Sequence, residues 1–352
     1  MSSGTSNRPA TLVERLQTDV VICAEGYLFE LERRGYLQAG AFVPEVVLEH
    51  PEKIRDLSLE FVRAGSDVVL ALTFYAHRDK MRVAGRESDV AELNREALAI
   101  AAGVARETGT LLAGNICNTH VYAPGDAASE RTVRAMFEEQ VKWAAEADVD
   151  FVVAESFGWA GEALLATQVI KEAGLAAVTT ISVTKQPVMF DGMSAADACR
   201  SLEEAGADVV GLNCLRGPAT MLPLIADIRA AVTCPVAALP VVYRTTPDQP
   251  SFVSLEGARP DLLPHGRPFP TALDPFTCDR YEVAEFAREA KALGATYIGL
   301  CCGAAPHHVR SLAEALGRHP EASRYSPDLT KHAFLGESKA LGHETALDPT
   351  EV

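Results

Sequence analysis

The chain has 352 residues, of which 48% are hydrophobic, enough to fill the core of one large domain or two ordinary ones. Its formal net charge of -16 argues against binding to nucleic acid or an anionic membrane, because both need basic surface. Residues 1–10 lack the apolar core of a signal peptide, and no run is long enough to span a bilayer. The charge therefore favours a small-molecule substrate. The unevenly spaced cysteines favour a cytoplasmic protein whose thiols remain free.

Short apolar runs alternate with amphipathic helical patterns along most of the chain. Eight apolar runs lie at residues 19–23, 67–72, 111–116, 149–154, 177–183, 208–213, 236–239 and 297–300. Helical patterns lie at residues 28–36, 51–64, 90–108, 130–147, 161–173, 194–205, 221–232 and 279–293, and again from 306. This alternation predicts parallel strands with crossover helices, and eight units predict a closed (β/α)8 TIM barrel over residues 11–318. An open doubly wound sheet is the alternative.

Two segments do not fit the repeating unit. Residues 243–276 are rich in proline and glycine and too long for an ordinary connection, so we expect a long loop over the barrel mouth before the last strand. The C-terminal tail, residues 319–352, has no clear periodicity. It is either disordered or an arm that packs on another subunit, which would make the protein a homo-oligomer.

Three cysteines directly follow two of the predicted strands. Cys214 follows the sixth strand, and Cys301 and Cys302 follow the eighth. Active sites of such barrels lie at the carboxyl ends of the strands, so the three thiols could converge on one ion. Zinc is favoured because thiolates prefer it and three protein ligands leave a fourth position for a thiol substrate. The alternative is that these cysteines are small apolar core residues.

Polar and aromatic side chains lie near the ends of other predicted strands. A carboxylate at Glu155, after the fourth strand, could hold a substrate ammonium, and Glu25 after the first strand has the same interpretation. Either acid could instead be solvated or salt-bridged. Aromatic faces could surround a cationic methyl donor through cation-π attraction, although loop aromatics also serve as packing. The aromatic residues concerned are Phe42, Phe74, Tyr75, Phe157 and Trp159, and Thr73 is the polar residue beside Phe74. We expect His120, His307 and His308 to be structural or supporting groups.

Four stretches of the chain resemble the zinc-dependent homocysteine S-methyltransferases, and most closely their betaine-homocysteine branch. Residues 211–214 and 297–303 contain the cysteine motifs of the family, and residues 29–36 and 73–75 resemble the betaine branch. The resemblance extends over residues 19–316. It implies methyl transfer from a betaine-like onium donor to the thiol of homocysteine, giving methionine.

The resemblance also implies roles for individual residues. Cys214, Cys301 and Cys302 would bind Zn2+, Glu155 would bind the homocysteine amino group, and Tyr75 would contact the methyl donor. The expected partners are therefore a small thiol acceptor and a small methyl donor. Zinc would lower the pKa of the acceptor thiol, and the thiolate would attack the methyl group.

The chain departs from the family pattern at three positions. Where the family has an aspartate after its first strand, this chain has Ala24, and Glu25 can replace it only if the strand has already ended there. The donor-site tryptophan corresponds to Phe42, and a donor-site tyrosine corresponds to Ser156. These changes allow a donor other than betaine, such as the sulfonium S-methylmethionine, and an acceptor other than homocysteine.

Two other classes of function remain open from the sequence. The thiols could form a structural or redox zinc site without methyl transfer, but a closed site of that kind would need a fourth protein ligand. The chain could also be the homocysteine module of a cobalamin-dependent enzyme, and it would then need a separate cobalamin-binding partner.

Overall fold

A computed structural model describes residues 10–332, and within them eight parallel strands close into a barrel in chain order. The strands are β1 (Val21–Ala24), β2 (Val68–Leu70), β3 (Leu111–Cys117), β4 (Phe151–Phe157), β5 (Ala176–Ile181), β6 (Val209–Asn213), β7 (Val236–Leu239) and β8 (Ala295–Leu300). The barrel closes where β1 pairs with β8, with Cys23 opposite Gly299. The predicted (β/α)8 fold is confirmed, and the open sheet is excluded.

Helices connect the strands. They are α1 (Leu12–Leu16), α2 (Tyr27–Arg33), α3 (Val46–Glu49), α4 (Pro51–Ala64), α5 (Arg78–Val83), α6 (Val90–Thr108), α7 (Ala127–Glu146), α8 (Ala160–Glu172), α9 (Ala195–Glu204), α10 (Pro218–Ala231), α11 (Arg280–Ala292) and α12 (Pro306–Ala315). The longer helices bury one apolar stripe, as their periodicity predicts. Within residues 10–332 no helix is both long and apolar enough to cross a membrane.

Side chains from opposite strands fill the interior of the barrel. Phe151 of β4 and Tyr297 of β8 meet edge to face, with ring centroids 6.3 Å apart, and both are fully buried. Because the barrel is packed, small molecules can only be bound at its ends, and in this fold they bind at the carboxyl ends of the strands.

The long segment between β7 and α11 lies over the barrel mouth. The ring of Phe252 stacks on Tyr243, with centroids 5.6 Å apart, and meets Phe269 edge to face at 5.1 Å. Phe252 and Phe269 line a cavity together with residues from β-strand ends on other sides of the barrel. The predicted loop over the mouth is therefore confirmed.

The chain after α12 is tied to the opposite end of the barrel by Arg318. Its guanidinium contacts Asp67 at 2.5 Å and Asp19 at 3.2 Å. Two short 3-10 turns follow, at Glu321–Tyr325 and Leu329–Lys331. Residues 333–352 lie outside the described part of the chain, so the domain boundary at 318 and the arm formed by residues 319–352 stay predictions.

Candidate active site

The three predicted thiols meet at the carboxyl ends of β6 and β8. The Sγ atoms of Cys214 and Cys302 are 3.5 Å apart, those of Cys301 and Cys302 are 3.9 Å apart, and all three lie within 4.8 Å of one another. Zinc bonded to sulfur at about 2.3 Å in a tetrahedron places its sulfur ligands about 3.8 Å from each other. The spacing and the donor set therefore fit a zinc ion.

The three thiols polarise one another. Contacts from Cys301 and Cys302 lower the pKa of Cys214 well below its usual range, and contact with Cys214 raises the pKa of both partners. Thiols this close cannot all ionise unless a cation neutralises them. A thiolate-binding metal would supply that charge.

The segment after β7 fixes the turn that carries two of the thiols. The amide of Cys301 donates to the carbonyl of Pro240 at 2.9 Å, and Val242 donates to the carbonyl of Cys302 at 3.1 Å. Arg33 then donates to the carbonyl of Gly303 and to the hydroxyl of Tyr243, each at 3.0 Å. These bonds hold the thiols in place from outside the cluster.

Gly303 gives a testable prediction for this turn. It has φ of +85°, and a Cβ at this position would lie 2.6 Å from ring atoms of Tyr243. We expect Gly303→Ala to move Cys302 and weaken zinc binding by about 10–100-fold, the effect typical of losing a supporting contact. Metal titration with a chromophoric chelator measures this. Gly317→Ala is the control, because Gly317 also has positive φ but nothing within 4 Å of its Cβ position.

Glu155 lies beside the thiols at the end of β4 and is 3% exposed. Its two oxygens accept hydrogen bonds from Asn115 at 2.7 Å and from Asn213 at 2.6 Å. Burial raises the pKa of Glu155 to about 8. Asn213 precedes Cys214 and lies 3.9 Å from the sulfur of Cys301, so it connects the carboxylate with the three thiols.

Glu25, the residue directly after Ala24, lies in the site beside Glu155 and Cys301. Strand β1 ends at Ala24, and the Glu25 carboxylate, Glu155 and the Cys301 thiol lie within 4.8 Å of one another. Both Glu25 oxygens are buried without a hydrogen-bond partner at normal geometry among residues 10–332. Burial, and then the charge of Glu155, raise the pKa of Glu25 well above its usual range. Two buried acids, of which Glu25 has unsatisfied oxygens, form a preformed site for a cation such as an ammonium group.

Two cavities adjoin the thiols. The inner chamber, about 40 Å³, has room for about three water molecules and is lined by the two acids, Asn115 and all three cysteines. The outer cavity, about 390 Å³, is lined mainly by aromatic rings. Cys214, Cys302 and Ser156 line both. A group held in the inner chamber and one held in the outer cavity can therefore meet at the thiols.

Several residues that line the outer cavity have strained backbone. Phe42, Tyr75, His120, Ser156 and Cys214 have φ between +52° and +65°, a region that residues other than glycine seldom adopt. Such strain clusters at functional sites, where the surrounding structure over-determines it. The strain therefore makes these side chains candidates for a binding role.

Residues 22–316 match the family model described as homocysteine S-methyltransferase. The chain belongs to the homocysteine S-methyltransferase family. The family and the enzyme class that the cysteine motifs predict, an S-methyltransferase, are therefore confirmed.

Known members of this family include two kinds of relative. Betaine-homocysteine S-methyltransferase 1 of Xenopus tropicalis is 36% identical over 337 residues, covering 92% of this chain and 79% of its own. S-methylmethionine-homocysteine S-methyltransferase BHMT2 of Pongo abelii is 34% identical over 335 residues, covering 93% and 86%. The homocysteine methyltransferase MmuM of Escherichia coli, in its metallated form, shares the fold with a TM-score of 0.64 at 18% identity, covering 84% and 96%.

The structure brings most of the predicted residues of this methyltransferase together. Phe42, Phe74, Tyr75 and Ser156 line the outer cavity, as Trp159 does. The ring of Phe42 stacks on Phe29 at 5.2 Å, and the Tyr75 hydroxyl contacts His120 Nε2 at 2.8 Å. His120, which we expected to be structural or supporting, thus lies at the cavity itself.

Two predicted residues do not line either cavity. The hydroxyl of Thr73 donates to the Asn115 carbonyl at 2.6 Å. Phe157 is fully buried against Phe137 of α7. The sequence placed Phe157 in a loop, but β4 continues through it. A register shift between Ala154 and Phe157, where Ser156 has φ of +65°, turns this ring outward.

Sequence reasoning missed the two asparagines that hold Glu155. Asn115 and Asn213 are nearly fully buried within otherwise apolar strands, and a buried polar residue in such a strand is the signal that could have identified them. It also missed the loop rings Phe252 and Phe269, since a segment without periodicity gives no indication of what its side chains contact.

Proposed function

We propose that this S-methyltransferase transfers a methyl group from an onium donor to the thiol of homocysteine, giving methionine, with zinc held by Cys214, Cys301 and Cys302. One observation carries the proposal: three thiols at zinc-ligand spacing separate a chamber with two buried acids from an aromatic cavity. Zinc, when bound, would supply the Lewis acidity that keeps a substrate thiol deprotonated at neutral pH.

The inner chamber suits the amino end of the acceptor. An ammonium group would lie between the carboxylates of Glu155 and Glu25, and it would satisfy the buried oxygens of Glu25 that residues 10–332 leave without a hydrogen bond at normal geometry. Asn115 and Asn213 each use an amide group to hold Glu155 in one orientation. The charge of the ammonium would favour the ionised form of both acids.

The outer cavity suits the donor. The aromatic faces of Tyr75, Phe42 and Phe29 attract a cationic nitrogen or sulfur, and they exclude water from it. The acceptor sulfur attacks the methyl carbon, the bond from that carbon to the donor heteroatom breaks, and its electron pair stays on the heteroatom. Two opposite charges are neutralised in this step, which a dry apolar cavity favours over water.

A sulfonium donor is the second candidate. Ser156 leaves space beside the thiols, and one relative of the chain is an S-methylmethionine-homocysteine S-methyltransferase. The match to a betaine-homocysteine S-methyltransferase, which covers 92% of the chain at 36% identity, favours a small donor over a cobalamin-carrying partner. A closed structural zinc site is disfavoured because the three-thiol cluster opens onto both cavities.

Formation of methionine tests the function. Zinc-loaded protein is mixed with homocysteine and with glycine betaine or S-methylmethionine, and methionine is measured by mass spectrometry. Turnover with an onium donor that stops when zinc is chelated supports the proposal. Full zinc occupancy without turnover of any onium donor contradicts it.

Glu25→Gln separates the binding role of this acid from a structural one. We expect the KM for homocysteine to rise about tenfold or more, because a charge-assisted hydrogen bond contributes about 1.5–3 kcal/mol. We expect Tm to stay equal or rise, because residues 10–332 give the Glu25 carboxylate no hydrogen bond at normal geometry. A lower Tm with unchanged KM would show that Glu25 serves the fold and not the acceptor.

We also propose a cytoplasmic location, since all eight cysteines are free. Residues 319–352 are proposed as the arm of a homo-oligomer, supported by the exposed side chains of Tyr325 and Leu329. Light scattering on the intact protein tests the arm. A monomer at working concentration would rule it out.

A further inference from the structure

The hydroxyl of Tyr75 has a histidine as its partner in the outer cavity. Its oxygen lies 2.8 Å from Nε2 of His120, and the centroids of the two rings are 5.4 Å apart. Both side chains line the cavity, and so do the thiols of Cys214 and Cys302. The hydroxyl and the thiols therefore face the same bound molecule.

Charge and acidity decide which partner donates in this hydrogen bond. Burial, and then the charge of Lys80, lower the pKa of His120, so its ring is neutral at pH 7 and has one acceptor nitrogen. A phenol is a better donor than a neutral imidazole, so the bond is stronger when the Tyr75 hydroxyl donates to Nε2. The ammonium of Lys80 lies 4.2 Å from the centroid of the Tyr75 ring, where it draws electron density from the ring and strengthens the hydroxyl as a donor.

Hydrogen bonds to α8 and β4 fix the loop that carries His120. Glu162 of α8 is 2% exposed, and its Oε1 accepts from the amide of Thr119 at 2.8 Å and from the Thr119 hydroxyl at 2.6 Å. The side-chain amide of Asn118 donates to the carbonyl of Ser156 at 2.8 Å. His120 has φ of +60°, a strained conformation that contacts on both sides of it maintain. The imidazole is therefore held in one place beside the tyrosine.

Resting on the proposed methyl transfer, we propose that His120 is a positioning residue for the methyl donor and acts through Tyr75. It accepts the hydroxyl proton of Tyr75 and so leaves the lone pairs of the oxygen free for a cationic donor. These lone pairs attract the polarised C–H groups of an onium methyl, whereas a hydroxyl hydrogen would repel them. The hydroxyl oxygen then helps to hold the methyl group in line with the acceptor sulfur.

Two unbranched substitutions separate the hydrogen bond from the shape of the side chain. His120→Gln keeps a strong acceptor near the position of Nε2, and His120→Met has a similar length with only a weak one. We expect His120→Met to raise the KM for glycine betaine or S-methylmethionine about three- to tenfold, the range of one neutral hydrogen bond, and His120→Gln to change it by less than about twofold. The KM for homocysteine and the zinc content should stay the same in both variants.

Tyr75→Phe shows whether His120 acts through the hydroxyl. In that background His120→Met should cause no further loss, because the interaction it removes is already absent. His265→Met is the control, since His265 is exposed, has φ of +56° and does not line either cavity. Equal losses in His120→Gln and His120→Met, or a loss that persists without the hydroxyl, would overturn the proposal.

A binding measurement keeps this test separate from that of the proposed function. If the zinc-loaded natural protein forms no methionine from either donor, the proposed function is contradicted. Binding of tetramethylammonium, measured by titration calorimetry, then tests the role of His120. Weaker binding to His120→Met than to His120→Gln would support that role, and equal binding or none would overturn it.

Discussion

Cys301→Ala is expected to abolish methyl transfer and to remove zinc from the protein. Cys301 contacts Cys302 at 3.9 Å and lies within 4.8 Å of Cys214, so its loss leaves two thiols where three fit a zinc ion. Losing a residue that supports a metal ligand costs about 10–100-fold in affinity, and losing a ligand itself should cost more. Zinc content by atomic emission, together with methionine formation, measures both effects.

Cys234→Ala is the matched control for this loss. Cys234 is a half-buried free thiol before β7, and burial raises its pKa to about 12. It lies outside the thiol cluster, so the variant should keep zinc and turnover. Full zinc occupancy and normal turnover in Cys301→Ala would contradict the assignment of the three ligands.

Glu155→Gln is expected to have the second largest effect, through the acceptor. The carboxylate is 3% exposed and held by Asn115 and Asn213, so an ammonium bound to it would be desolvated and correctly oriented. Removing this charge should lower kcat/KM for homocysteine by about 100-fold, because a buried charged hydrogen bond lost on one side costs about 1.5–3 kcal/mol or more.

An acceptor that lacks the amino group isolates this interaction. The natural protein should prefer homocysteine to 4-mercaptobutanoate by about 100-fold, and Glu155→Gln should erase most of that preference. Zinc content should remain stoichiometric, since the carboxylate is not one of the three thiols. If both acceptors lose the same factor in the variant, Glu155 supports the structure of the site and does not recognise the ammonium.

The sequence predicts the fold and the thiol cluster because both depend on local patterns. Apolar runs separated by amphipathic helices specify a parallel barrel, and a cysteine directly after a strand must lie at its carboxyl end. Cys214 and Cys302 are far apart in the chain, yet this rule brings their sulfurs to 3.5 Å. No long-range contact had to be known in advance.

The acid pair and the outer cavity depend on details that no pattern fixes. Whether Glu25 enters the site depends on β1 ending at Ala24, and strand ends are uncertain by more than one residue from sequence. The register shift that turns Phe157 outward requires the positive φ of Ser156. The ring of Phe252 reaches the outer cavity from a loop with no periodicity, so only the folded structure shows that contact.

X-ray absorption at the zinc edge, with and without homocysteine, tests the central claim most directly. The arrangement of Cys214, Cys301 and Cys302 predicts three sulfur ligands in the protein alone and four when homocysteine is added, with zinc–sulfur distances of about 2.3 Å. A sulfur count that homocysteine does not change would contradict the claim that these thiols hold a zinc ion open to the acceptor.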